Sequence, residues 1–240
     1  MNMVWAMAGA ASGLVTGAAL RGPVYRLSVP TGSPDRSACE RCSAPLRRWP
    51  GICCRRCGGS LGTPAVLEVT TAVVLALVLG RFADQPDAAA FAFLGAVGVP
   101  LAVIDVAVQR LPDRLTLTAI PALTLLLAGA AITSSKTGPL IRSLLCGLVF
   151  AATFLLLALI RPGQLGGGDI KLAALLGLAL GWLGWPTLLA GAAIGFILGG
   201  VGGLTLLAMR RTTMQGQISF GPFLLGGALI AMLASGIPVK

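Results

Sequence analysis

Residues 89–108 read AAFAFLGAVGVPLAVIDVAV, twenty positions that carry a single charge, Asp105. About 20 apolar residues take an α-helix across the hydrocarbon core of a bilayer. Asp105 falls about one turn from the end of this run. A carboxylate at that depth costs roughly 2.5 kcal/mol or more unless a partner or a water-filled cavity receives it. The stretch therefore points to a membrane helix, and its one acid points to chemistry.

The same pattern recurs on both sides. Further apolar runs are expected to span at Val4–Leu20, Ala65–Leu79, Leu115–Thr133, Leu144–Ile160, Leu172–Leu183, Pro186–Met209 and Ile218–Ile237. Leu172–Leu183 is short, which suggests a tilted or partly re-entrant segment. Hydrophobic residues make up 56% of the 240 and charged residues 11%, with a mean hydropathy of +0.89; soluble domains carry about 25% charged residues. The fold class expected is all-α, a polytopic membrane helical bundle of about eight transmembrane helices. Three regions follow: a first transmembrane helix over 1–20, a cytoplasmic insertion over 21–64, and a membrane-embedded core over 65–240. The first run has no basic residues before it, so a retained anchor is expected rather than a cleaved signal peptide.

The net charge is +10, and much of it lies between Arg21 and Gly62. Lys and Arg flank apolar runs where the positive-inside rule places them, so the basicity argues for a membrane lipid surface and against a nucleic-acid partner. The Arg21–Gly62 segment is expected in the cytoplasm, with the turns at Gln109–Arg114, Arg161–Lys171 and Arg210–Gln217. Both termini then lie outside. Multi-pass residence in a membrane, with the basic segment on its cytoplasmic side, is expected.

The chain contains no histidine. That removes Ser-His-Asp hydrolases, Cys-His proteases and His-Glu-x-x-His metalloproteases together. Of the eight acidic residues, Asp35 and Glu40 lie in the basic segment and Asp84 and Asp87 in an outer turn. Glu68, Asp105, Asp113 and Asp169 remain near apolar runs. Asp169 follows Gly166-Gly167-Gly168 at the cytoplasmic start of a span, at a depth similar to Asp105. Two carboxylates at one level can share a proton, leaving one as base and one as acid. Such a pair activates water against a peptide carbonyl without histidine or metal. Glycines before the second acid permit close approach of another chain, although a loop ending in an Asp helix cap reads the same way.

Cys39-Glu-Arg-Cys42 and Cys54-Arg-Arg-Cys57 stand eleven residues apart. Two such knuckles offer four thiolates for one tetrahedral Zn2+, and a structural zinc is expected on Cys39, Cys42, Cys54 and Cys57. Cys53 is a spare that can compete as ligand, and Cys146 reads as a small apolar residue in a span.

Gly166-Gly167-Gly168-Asp169 with Lys171 resembles the Gly-x-Gly-Asp motif of intramembrane aspartyl proteases, in the form seen in prepilin (type IV leader) peptidases. Asp105 followed by Arg110-Leu-Pro112-Asp113-Arg-Leu-Thr116 is similar to that family's first motif, and the 64-residue separation of Asp105 and Asp169 fits it. The resemblance implies that Asp105 and Asp169 are the catalytic aspartates. Gly166, Gly168, Asp113 and Lys171 become motif residues near the substrate; Asp113 occupies a place the family fills with Asp or Asn, which suits a structural or orienting role better than acid–base work. Ser219-Phe-Gly-Pro-Phe223 resembles a last-span signature and reads as a packing kink. The implied substrate is a prepilin or pseudopilin, cut at the cytoplasmic face. In that family the Cys-x-x-Cys segment accompanies N-methylation of the new amino terminus with S-adenosylmethionine. Gly17–Leu27 resembles the stretch leading into it, and Pro64-Ala-Val-Leu-Glu68 is a degraded form of the Tyr-Pro-x-x-Glu that follows it. These departures bear on methyl transfer more than on cleavage. Two other classes compete: a small transporter with embedded carboxylates as a proton or cation relay, and a catalytically idle pilus-assembly subunit.

Overall fold

The computed structural model describes residues 2–30, 33–46, 51–62, 65–160, 166–209 and 219–235. These form eight helices: α1 (Met3–Leu27), α2 (Val66–Phe82), α3 (Ala88–Val108), α4 (Asp113–Ser134), α5 (Thr137–Ile160), α6 (Gly167–Leu183), α7 (Trp185–Ala208) and α8 (Gly221–Ala234). Among the described residues there is no strand, only two isolated bridges in the cysteine segment, Ala38 with Pro45 and Cys53 with Ser60. The all-α expectation holds. Five helices, α1, α3, α4, α5 and α7, are long and apolar enough to cross a membrane. At 17 residues, α2 and α6 are each roughly 26 Å long, just short of the hydrocarbon thickness.

The helices depart from the hydropathy-based spans at their ends. The first helix runs past Leu20 to Leu27 and carries Arg21, Pro23 and Arg26 within it. The fifth begins at Thr137, seven residues before Leu144, and so includes Arg142. Backbone hydrogen bonding continues where apolarity stops. The turns 161–165 and 210–217, Pro64 and Arg47–Arg48 lie outside the described residues.

The chain divides into two compact units, Met1–Pro112 and Asp113–Lys240. In the first, α1 and α2 run antiparallel, with the Asn2 backbone N–H donating to the Gly80 carbonyl at 2.8 Å. Gly9, Gly13 and Gly17 recur every fourth residue along α1 and face α2. A Cβ on Gly13 would stand 2.5 Å from the Ala72 Cα, so only glycine allows this approach. The third helix joins them through Phe91, whose ring centre is 4.6 Å from that of Phe82.

In the second unit α6 is the centre. Every residue from Leu175 to Trp182 is buried. The adjoining α5 holds it by side chain to backbone: Ser143 Oγ donates to the Leu178 carbonyl (2.6 Å), and Arg142 donates to the carbonyls of Gly181 (2.8 Å) and Trp182 (2.6 Å). The last two carbonyls belong to the end of α6, where helix carbonyls lack intrahelical partners. Phe154, Phe196 and Phe220 pack together from α5, α7 and the residue before α8. The Ser219–Phe223 motif therefore starts a helix, with Pro222 in its first turn, rather than kinking one.

Candidate active site and cysteine centre

Asp105 lies in the last turn of α3 and is 5% exposed. The helix closes just beyond it, where Gln109 takes a left-handed conformation (φ 51°) and donates its N–H to the Asp105 carbonyl at 2.8 Å. This places a buried carboxyl one turn from the helix end, as its position in the apolar run implies.

Asp169 is the third residue of α6, not its cap. Gly166 caps the helix with extended backbone (φ −76°, ψ 148°), and Gly167 and Gly168 are already helical. The Asp169 carboxylate reaches back to accept the Gly166 N–H at 3.3 Å. That is half of a capping box, since glycine has no side chain to return the bond. The anion also sits where the α6 dipole is positive. Two of the three glycines thus form the first helical turn, and it is this turn, rather than a loop, that presents Asp169.

Lys171 and Asp113 meet, with Lys171 Nζ 2.6 Å from a carboxylate oxygen of Asp113. Residues two apart on a helix point apart, so Lys171 turns away from the direction of Asp169 and ties the first turn of α6 to the first residue of α4. Asp113 is 63% exposed and Lys171 30%, which makes the pair a tether at the rim. Asp105 belongs to the first unit, and Asp113, Gly166, Gly168, Asp169 and Lys171 belong to the second.

The four knuckle cysteines converge. Their Sγ atoms all lie within 4.8 Å of one another, with Cys39 to Cys57 at 3.9 Å and Cys42 to Cys54 at 3.6 Å. Four thiolates around a tetrahedral ion at 2.3 Å stand about 3.8 Å apart, so the set fits one metal ion. The two knuckles repeat one fold. The N–H of Cys39 donates to the Ala44 carbonyl and that of Cys54 to Gly59, each five residues on, and Ser43 (φ 54°) and Gly58 (φ 68°) make equivalent left-handed turns. Backbone N–H groups of Cys57 and then Arg56 stabilise the Cys54 thiolate and pull it down to about 6. At Cys42 the Ala44 N–H pulls downward, but burial and the neighbouring thiols of Cys54, Cys57 and Cys39 outweigh it and push the group up to about 11. Cys53 is exposed and outside the group of four, and Cys146 is buried in α5.

One buried pair escaped the sequence reading. Arg21 of α1 forms an ion pair with Glu68 of α2, each side chain 12% exposed. An arginine at the end of one apolar run and an acid at the start of the next was the available signal.

Residues 89–204 match the family model described as the type IV leader peptidase family. The chain is 32% identical, over 233 residues, to proteins named prepilin leader peptidase/N-methyltransferase from two strains of Burkholderia pseudomallei; the match covers 89% of this chain and 70% of each relative. A protein of the same name from Pseudomonas aeruginosa is 28% identical over 221 residues, covering 87% of this chain and 73% of its own. No solved structure matches the chain. The matched segment begins at the start of α3 and takes in the motifs around Asp105, Asp113 and Asp169, so the chain belongs to the type IV leader peptidase family.

Proposed function

We propose that this chain is an intramembrane aspartyl endopeptidase that removes the leader peptide from type IV prepilins or pseudopilins, with Asp105 and Asp169 as its acid–base pair. The observation that carries this is the family match over residues 89–204, which spans both aspartates and their motifs. The burial of Asp105 one turn from the end of α3 and the seating of Asp169 in the first turn of α6 support it.

In the reaction one carboxylate takes a proton from water as the oxygen attacks the scissile carbonyl. The other, protonated, donates a hydrogen bond to the carbonyl oxygen, and the leaving amine departs with a proton. Lys171 and Asp113 are positioning residues that hold the start of α6 against α4. The positive-inside rule puts the cysteine segment and the cleavage on the cytoplasmic side of a bacterial plasma membrane. Cys39, Cys42, Cys54 and Cys57 would hold a zinc ion in a structural role, since four thiolate ligands leave a tetrahedral ion no open position. The name of the relatives supports N-methylation as a second activity, and S-adenosylmethionine is the donor that the family resemblance implies where that activity is retained.

Mass spectrometry of a co-expressed prepilin tests cleavage directly. Wild type is expected to yield the leader-free form, and Asp105→Asn and Asp169→Asn the full-length form. Normal leader removal by either variant refutes the assignment.

A further inference from the structure

The arginines in and around the cysteine segment divide by whether they have partners. Arg21 pairs with Glu68 of α2. Arg36 pairs with Glu40 at 3.0 Å and lies 4.8 Å over the Tyr25 ring, and Arg26 donates to the Arg36 carbonyl at 3.1 Å. Arg41, Arg55 and Arg56 have no ion pair among the described residues, and all three are exposed. They gather around Cys57. Arg55 and Arg56 precede it in the second knuckle, and Arg41 runs along Gly59, where a Cβ would stand 3.2 Å from Arg41 Nη1 and 3.4 Å from Cys57 Sγ. From Gly51 to Gly62 the sequence has no acid to offset them, and the nearby Glu40 is taken by Arg36. Ile52, in the same knuckle, is 47% exposed.

The height of these residues is set by α1. Its 25 residues make a helix about 37 Å long, and the hydrocarbon core of a bilayer is about 30 Å thick, so a spanning α1 carries its last turn into the headgroup layer. The cysteine segment is fastened to that turn. The Glu40 N–H donates to the Tyr25 hydroxyl at 3.2 Å, and Tyr25 packs with Cys39, Ala44, Cys54 and Leu61 in one small core. The second knuckle therefore stands near the level of the lipid phosphates. Guanidinium groups bind phosphate oxygens in pairs, and an apolar side chain among basic ones suits the boundary between headgroups and acyl chains.

We propose that the second knuckle docks on the bilayer surface: Arg41, Arg55 and Arg56 bind the phosphates of anionic phospholipids, and Ile52 enters the boundary below them. The cysteine centre then has a mechanical task. It folds a short loop into a rigid platform whose arginines face the membrane that α1 crosses. The inference rests on α1 as a membrane helix and on no catalytic assignment.

The test is photocross-linking of the full chain in nanodiscs, with p-benzoylphenylalanine in place of Ile52 and lipid adducts read by mass spectrometry. Discs of phosphatidylcholine alone are compared with discs containing phosphatidylglycerol. Each arginine near an anionic surface strengthens attraction about fivefold, so the adduct to phosphatidylglycerol discs is expected to exceed that to phosphatidylcholine discs by about threefold or more, and Arg55→Gln/Arg56→Gln should remove most of the difference. Bound zinc, measured on each protein, shows whether the knuckles are folded. If the double variant loses metal, Arg56→Gln alone takes its place. Equal yield in the two lipids, or an unchanged yield in the metal-loaded variant, overturns the proposal. Prepilin and transfer RNA added to the discs give the competing partners their chance, and adducts to either of them in place of lipid overturn it as well.

Discussion

Gly177→Ala tests whether the seam between α5 and α6 keeps the helix of Asp169 in place. A Cβ at this position would stand 2.7 Å from the Cys146 carbonyl oxygen and 2.8 Å from the Gly147 Cα. Both are backbone atoms of α5, so no side chain can swing aside. Carbon contacts settle at about 3.5–4.0 Å, so the two helices must part by roughly 0.7 Å or more at that level. Overpacking of this kind costs about 1–3 kcal/mol. The same movement stretches the Ser143 bond to Leu178, now 2.6 Å, and the Arg142 bonds to Gly181 and Trp182. For a chain of this length, the melting temperature should fall by about 3–10 °C. Asp169 lies eight residues earlier on the same helix, about 12 Å along its axis. A shift approaching 1 Å at a reacting group lowers the rate by about 100-fold, so leader cleavage should drop by about 10- to 100-fold. The matched control is Gly129→Ala, where a Cβ meets nothing within 4 Å; it should melt at or slightly above wild type, because alanine restricts the unfolded chain. Thermal unfolding in nanodiscs and timed cleavage of purified prepilin read both quantities. If Gly177→Ala melts and cleaves like Gly129→Ala, the seam does not hold the site and the reasoning fails.

Lys171→Met and Asp113→Asn should each change stability by less than about 1 kcal/mol, because the pair is exposed at the rim, while each slows cleavage. The double variant should cleave no worse than either single one, and additive losses in kinetic assays would show that the two side chains act separately. Glu68→Leu or Arg21→Leu alone strands a buried charge and should cost about 3–5 kcal/mol, whereas the double Leu variant should recover much of that; thermal unfolding of the three variants checks the order. Metal affinity at the cysteine centre should rise with pH. Cys42, at about 11 without metal, must give up its proton as the ion enters, whereas Cys54, at about 6, has lost most of its proton by neutral pH. Below pH 6 Cys54 is protonated as well, and the dependence should steepen. Chelator titrations from pH 5 to 8 should show affinity gaining about tenfold per unit or more from this proton release, and a flat profile would contradict the assignment of thiol ligands.

What the sequence made legible depended on whether the governing interaction was local. Hydropathy located all eight helices, since lipid demands apolar residues along a whole span. It misplaced the ends of α1, α5 and α6, since those ends are set by backbone hydrogen bonds and by charged residues such as Arg21, Arg142 and Lys171 that continue a helix past its apolar stretch. The cysteine centre was readable because each knuckle carries its own fold in six residues, and only the meeting of the two is long-range. Asp113 and Lys171 were both singled out, yet not as a pair, because 58 residues separate them and no periodicity relates the starts of α4 and α6.

The glycines show the same division most sharply. Gly166, Gly167 and Gly168 look alike as a turn, but only Gly166 lies outside the helix, and Gly167 has open space where a Cβ would go. Gly177 lies in the middle of an apolar run, where nothing local distinguishes it, yet its missing Cβ is what allows α5 to approach. A motif glycine and a packing glycine therefore differ in what stands opposite them. In a membrane bundle, where lipid gives helices little hydrophobic reason to associate, the packing glycines bear on the placement of a proposed catalytic residue as directly as the motif glycines do. Asp169 is held in register by contacts made two turns further along its helix.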